Sequence, residues 1–149
     1  MANVLVAYGS STGNTAAVAE MIGSELRNTG HAVSIQDVGK LTAQNLCTPY
    51  DAILFGCSTW GYDEIEFQPD FEALYADFNA IGVEGKKVAV FGCGDVSYPY
   101  FCGAVDEIEH HLQGQKATLV TSGLKVDGDP NDMAEDITLW TKDVAKALA

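Results

Sequence analysis

Two short runs, Asp51–Cys57 (DAILFGC) and Lys87–Cys93 (KVAVFGC), are almost continuously apolar. A strand with one wet face alternates apolar and polar residues, whereas a strand covered on both faces reads as an unbroken apolar run. These two segments therefore belong in the middle of a sheet with cover on either side. The rest of the chain supplies that cover. Asn3–Tyr8 is a further apolar strand, and Thr15–Asn28 sets Ala16, Val18, Ala19, Ile22 and Leu26 at helical spacing. His31–Val38 alternates, with Val33, Ile35 and Val38 against Ser34 and Gln36. Phe67–Phe78 and Phe101–Leu112 read as helices, and Ala117–Val120 as a fifth strand that resumes at Leu124–Val126 after Ser122-Gly123. Asp129-Pro130 opens a last helix, with Ile137, Trp140, Val144 and Leu148 on one face.

Strand and helix alternate five times with no linker, repeat or low-complexity tract. That pattern predicts an α/β fold: one doubly wound domain over residues 1–149, built on a five-stranded parallel sheet. In such sheets ligands sit beyond the carboxyl ends of the strands, where the strand order reverses. Three loops fall there. The first strand gives Gly9-Ser10-Ser11-Thr12-Gly13-Asn14-Thr15; the third gives Ser58-Thr59-Trp60-Gly61-Tyr62; the fourth gives Gly94-Asp95-Val96-Ser97-Tyr98-Pro99-Tyr100-Phe101-Cys102-Gly103. The triplet Phe-Gly-Cys closes both later strands, at Phe55–Cys57 and Phe91–Cys93.

The first loop leads from a strand into a helix N-terminus, where free N–H groups and the helix dipole favour an anion. A nucleotide-hydrolysing loop would end Gly-Lys-Ser/Thr. Here Gly13-Asn14-Thr15 stands in that place, so the anion is met by neutral donors. The other two loops bring Trp60, Tyr62, Tyr98, Tyr100 and Phe101 to the same edge, which suits a flat conjugated ring. A phosphate at one end and a planar heterocycle at the other describe a mononucleotide.

These three motifs, at the ends of the strands that carry them and with nothing added to the chain, resemble the short-chain flavodoxins of sulfate reducers. The resemblance implies a non-covalent FMN and the strand order 2-1-3-4-5. It implies phosphate contacts from Ser10, Thr12, Asn14, Thr15 and Ser58, with backbone N–H groups of Ser11, Thr12, Gly13, Asn14 and Thr15. It places Trp60 and Tyr98 on the two flavin faces. Backbone of Thr59, Gly61, Asp95, Tyr100 and Cys102 would meet the polar edge of the ring, and Trp60, Cys93 and Gly94 the ribityl chain. Phe101 belongs to the same loop. Tyr62 departs from the pattern, since many relatives carry Asp or Asn there, and Pro99 restricts Tyr98 to an extended backbone.

The function implied is a low-potential one-electron carrier, shuttling between semiquinone and hydroquinone, and not an enzyme. The charge pattern agrees. The net charge is -13, and no lysine or arginine occurs between Lys40 and Lys86 or between Lys87 and Lys116. Asp63, Glu64, Asp95 and Asp106 lie in or next to the ring loops and oppose further negative charge on the ring. The same field repels nucleic acid and anionic lipid and steers basic redox proteins such as cytochromes, or oxidoreductases that use a low-potential carrier. The competing reading, an FMN-dependent quinone or NAD(P)H reductase of related fold, wants arginine for the dinucleotide, and the chain holds one, Arg27.

Other classes find no support. A receiver domain needs acidic residues after strand one, an Asp after strand three and a lysine near strand five, but positions 9–12 and 56–59 supply no carboxylate; a low-molecular-weight phosphatase needs Cys-x5-Arg, which is absent. Cys47, Cys57, Cys93 and Cys102 lack metal or disulfide spacing and read as buried free thiols, and His31, His110 and His111 as surface imidazoles. With no basic leader and no apolar run near the ~18 residues of a membrane span, a cytoplasmic monomer is expected.

Overall fold

The computed structural model describes residues 2–60 and 64–148; Gly61, Tyr62 and Asp63 lie outside the described residues. The elements run β1 (Asn3–Gly9), α1 (Asn14–Asn28), β2 (Ala32–Asp37), β3 (Ala52–Cys57), β4 (Thr59–Trp60), β5 (Glu66–Phe67) and α2 (Pro69–Ala76). They continue with β6 (Lys87–Gly94), α3 (Gly103–Gly114), β7 (Thr118–Leu119), β8 (Leu124–Asp127) and α4 (Ala134–Leu148).

The main sheet has the order β2-β1-β3-β6-β7, with β8 also pairing β6, and every pairing in it is parallel. The fifth position is shared by two short strands. Thr118–Leu119 lies beside Lys87–Val88, and Leu124–Asp127 beside Phe91–Gly94. Counted by position, this is the expected 2-1-3-4-5 order. β1 pairs β2 on one side and β3 on the other, so the loops leaving β1 and β3 part company and open a crevice.

The unbroken apolar runs have the predicted cause. Val4, Leu5, Val6 and Ala7 of β1 are all fully buried, although successive side chains point to opposite faces. Val4 and Val6 join Val18, Ile22 and Leu26 of α1 and Ile137 and Val144 of α4 in one core. Leu5 and Ala7 join Phe71 and Leu74 of α2 and Ile108 and Leu112 of α3 in the other. The repeated Phe-Gly-Cys triplet is a packing device. A Cβ on Gly56 would collide with the Phe91 ring, and one on Gly92 with the Cys57 carbonyl.

Several boundaries differ from the sequence reading. Phe67 pairs with Thr59 in the β4–β5 hairpin, and α2 begins at Pro69 because Gln68 caps it. Phe78 falls in a separate 3-10 turn, Phe78–Ala80. α3 begins at Gly103, after Cys102 takes a left-handed φ of 49°, and it runs on to Gly114. Val38 opens a 3-10 turn whose cap, Asp37, accepts from Gly39 N. Pro130–Met133 form a 3-10 turn before α4.

All four cysteines are buried free thiols. His31 is not a surface imidazole: it is buried, and its Nδ1 accepts from Ala2 N at 3.0 Å. His111 is half-buried, edge-on to Tyr75 and Phe78.

Candidate functional site

The carboxyl ends of β1, β3 and β6 lie side by side, and the three loops leaving them surround one cavity of about 220 Å³. Thr12 and Asn14 line it from the first loop. Ser58, Thr59 and Trp60 line it from the second, and Cys93, Gly94, Asp95 and Tyr98 from the third. Residues far apart in the chain are thus brought together as the motifs predict. Among the described residues no lysine or arginine lines the cavity.

The first loop turns on Gly13, whose φ of 94° is a left-handed conformation that glycine adopts without strain. Ser10 Oγ accepts from Gly13 N at 3.1 Å, which leaves the Ser10 hydroxyl proton for another acceptor. Gly13 is also the N-cap of α1, and no acidic residue stands in the first turn to compete with an anion for the positive end of the helix dipole. Asn14 Nδ2 reaches Gly128 O at 3.4 Å. Thr15 is 1% exposed, and its Oγ1 meets no hydrogen-bond partner among the described residues. Burial pushes the neighbouring Cys93 thiol up to about 11, against the Thr15 hydroxyl, which pulls it down. A buried hydroxyl without a partner, in a loop of neutral donors at a helix N-terminus, suits an anion such as a phosphate.

The second loop is braced in three directions. Trp60 Nε1 donates to Ser58 Oγ at 3.1 Å, which fixes the indole while leaving the Ser58 hydroxyl proton to donate. Ser58 O accepts from Gln68 N at 3.2 Å. Thr59 Oγ1 is buried and accepts from Ala104 N at 2.9 Å, so it ties this loop to the start of α3. Gly61 would continue the loop but lies outside the described residues.

In the third loop, Asp95 Oδ1 accepts from Ser97 N at 2.9 Å and Ser97 Oγ at 2.7 Å, and these bonds hold its carboxyl below the usual range. Tyr98 N donates to Asp95 O at 3.0 Å, closing the turn that carries the ring. Trp60 and Tyr98 both line the cavity, from opposite loops. Tyr100 and Phe101 line a neighbouring groove with Ile65, Glu107 and His110. Cys102 is fully buried beneath them, with its Sγ 3.7 Å from Gly92 O and the thiol pushed up to about 12 by burial. Of the expected acidic residues, Asp106 is paired with Lys125 at 2.9 Å, which offsets its charge locally.

Two participants escaped the sequence reading. Gly128, just past β8, lines the cavity and donates its N–H to Gly94 O at 3.1 Å. Next to it, Asp127 Oδ1 accepts from Val96 N at 3.1 Å. The turn signature Asp127-Gly128-Asp129-Pro130 was the available signal: it marks a fourth loop at the same sheet edge.

Fold and cavity together define a doubly wound α/β protein with a crevice at the carboxyl edge of its sheet, hydroxyl-lined at one loop and aromatic at the others. The comparisons with known proteins carry this further. The flavodoxin family model matches residues 6–140. The flavodoxin of Nitratidesulfovibrio vulgaris (strain Miyazaki F) is 53% identical over 148 residues, covering 99% of this chain and all of that one. The flavodoxin of Maridesulfovibrio salexigens is 44% identical, with the same coverage. Among solved structures, oxidised Flavodoxin 1 from Bacillus cereus superposes with a TM-score of 0.89 at 32% identity, covering 99% of both chains. The chain belongs to the flavodoxin family, in its short-chain, sulfate-reducer type. It is accordingly an FMN-binding electron carrier rather than an enzyme. The reductase alternative is not favoured, and Arg27 is engaged elsewhere, donating to Val33 O at 3.1 Å.

Proposed function

We propose that this chain, as a single domain, holds FMN non-covalently in the three-loop cavity and carries electrons one at a time at low potential between redox proteins. The observation that carries the reading is the unpartnered Thr15 hydroxyl, buried at the N-terminus of α1 in a loop without cations. Ser10, Thr12, Asn14, Thr15 and Ser58 would hold the phosphate with their side chains, with main-chain N–H groups of the loop, Ser11 among them. Trp60 and Tyr98 would cover the two ring faces. Main chain of Thr59, Gly61, Asp95, Tyr100 and Cys102 would meet the polar edge of the ring, and Cys93 and Gly94 the chain that joins ring to phosphate.

Bound FMN supplies a ring that takes up and returns single electrons. The protein's own groups set how hard the last electron is to add. Among the described residues no lysine or arginine lines the cavity, Asp95 is held ionised, and the aromatic faces present negative quadrupoles; all three oppose extra negative charge there. Redox titration of the FMN-loaded protein should resolve two one-electron waves, the second at distinctly lower potential. A single two-electron wave would refute the carrier reading in this form.

Redox proteins are the partners of such a carrier. The reading extends to basic ones, cytochromes among them, because Glu64, Glu66, Glu72 and Glu107 line a groove of about 530 Å³ that shares the β4–β5 hairpin and Tyr100 with the ring loops. We place the protein in the cytoplasm as a monomer. Among the described residues no helix is long and apolar enough to cross a membrane.

A further inference from the structure

Gln68 is a polar residue with 3% of its surface exposed, and it touches two of the loops that surround the cavity. Its Oε1 accepts from Phe71 N at 3.0 Å, capping α2. Both protons of its Nε2 are used, one toward Ser11 Oγ at 3.3 Å and one toward Asp70 Oδ2 at 3.2 Å. Its main-chain N–H donates to Ser58 O at 3.2 Å. The carboxamide also lies against Gly9, where a Cβ would collide with Oε1.

Capping alone does not explain a glutamine. Asn, Asp, Ser and Thr are the favoured caps, and their shorter side chains serve the helix as well or better. What glutamine adds is a second polar group, a donor, at the end of a longer arm. Spent on Ser11 Oγ, that donor leaves the Ser11 hydroxyl proton pointing to some other acceptor. The same residue is anchored to Ser58 through its main chain. One residue therefore links the anion loop and the start of α2 through its side chain, and the first ring loop through its main chain, across 57 positions of sequence between Ser11 and Gln68.

We propose that Gln68 is a positioning residue: through Ser11 it holds the anion loop preformed and in register with Ser58, so that the FMN phosphate meets a cradle that needs no ordering. The inference rests on the proposed reading of this cavity as the FMN site. Binding to a preorganised loop avoids an ordering cost, and that saving accrues to the phosphate end only.

The test compares FMN with riboflavin, which has the ring but no phosphate, by fluorescence titration of the apoprotein. The parent should prefer FMN strongly; equal affinities would remove the phosphate-site reading, and the inference with it. Given that preference, Gln68→Met should lower it about tenfold, the value of one lost hydrogen bond of about 1.4 kcal/mol, with riboflavin affinity within twofold of the parent. In a Ser11→Ala background the same substitution should cost little more, since both act through one bond. Gln68→Glu guards against a folding defect, because it keeps the acceptor for Phe71 N. Its FMN preference should be low at neutral pH, where the carboxylate has no proton to give Ser11. Parallel losses for FMN and riboflavin, or losses that add fully to Ser11→Ala, would overturn the assignment.

Discussion

Replacing Thr15 by valine should act in opposite directions on the empty and the loaded protein. The side chain is 1% exposed and, among the described residues, its Oγ1 has no hydrogen-bond partner beyond the weak neighbouring Cys93 thiol, so the apoprotein carries a desolvated hydroxyl for little return. Leaving a buried polar group unsatisfied costs about 1–3 kcal/mol, and an apolar group of the same shape removes that cost. Both residues are β-branched, so helix propensity nearly cancels. Apoprotein stability should therefore rise by about 1 kcal/mol or more, which for a domain of this size raises the melting temperature by roughly 2–4 °C per kcal/mol. FMN binding loses a hydrogen bond to a charged acceptor, worth about 1.5–3 kcal/mol, so the dissociation constant should grow about 10- to 150-fold. Calorimetric melting of the apoprotein and fluorescence quenching of FMN measure the two effects separately. An apoprotein less stable than the parent, or an unchanged FMN affinity, would show that the hydroxyl is not held in reserve for an anion.

Electron transfer to a basic redox protein should slow as salt rises, since the Debye length shrinks from about 10 Å at 0.1 M to about 3 Å at 1 M. Glu64→Gln with Glu107→Gln should flatten that dependence in stopped-flow rates, and salt-independent rates would remove the acidic groove from docking. Burial holds the thiols of Cys47, Cys57 and Cys102 up to about 12, whereas an unfolded thiol ionises near 8.5. Above about pH 8.5 the unfolded chain thus binds fewer protons than the folded one, and stability is lost as pH rises. Urea midpoints should fall steadily from pH 8.5 to 10.5, while the native thiols resist alkylation at pH 8. Gly92→Ala should destabilise by about 1–3 kcal/mol, because the new Cβ would meet the Cys57 carbonyl, which is backbone and has little room to yield. Urea unfolding reads it directly, and a neutral result would mean that β3 and β6 can spread.

Much of this protein was legible one segment at a time. The runs at Asp51–Cys57 and Lys87–Cys93 announce strands covered on both faces because burial requires apolar side chains at every position, and that demand is written locally. Gly13 marks the turn into α1, and the hydroxyls on either side of it mark an anion loop, since φ and donor chemistry belong to single residues. Where local signals compete, the sequence reading ran long. Phe67 fits the apolar pattern of the following helix, yet it pairs with Thr59, because the hairpin offers it a strand partner and Gln68 a place to begin the helix.

What the chain could not declare by itself are bonds between distant residues. Nothing near Gln68 says that its amide will reach Ser11, nothing near Thr59 that its hydroxyl will cap α3, and nothing near Asn14 that it will meet Gly128. His31 looks like any surface imidazole until Ala2 N is laid against it. Sequence by itself determined the alternation of strands and helices, the chemistry of three loops and the sign of the field around them, because propensity, periodicity and charge act over about a dozen residues. Tertiary structure alone decided which polar groups are shared between loops and that, among the described residues, Thr15 Oγ1 is left over; a buried donor or acceptor takes whatever partner the packing of remote segments brings within about 3 Å.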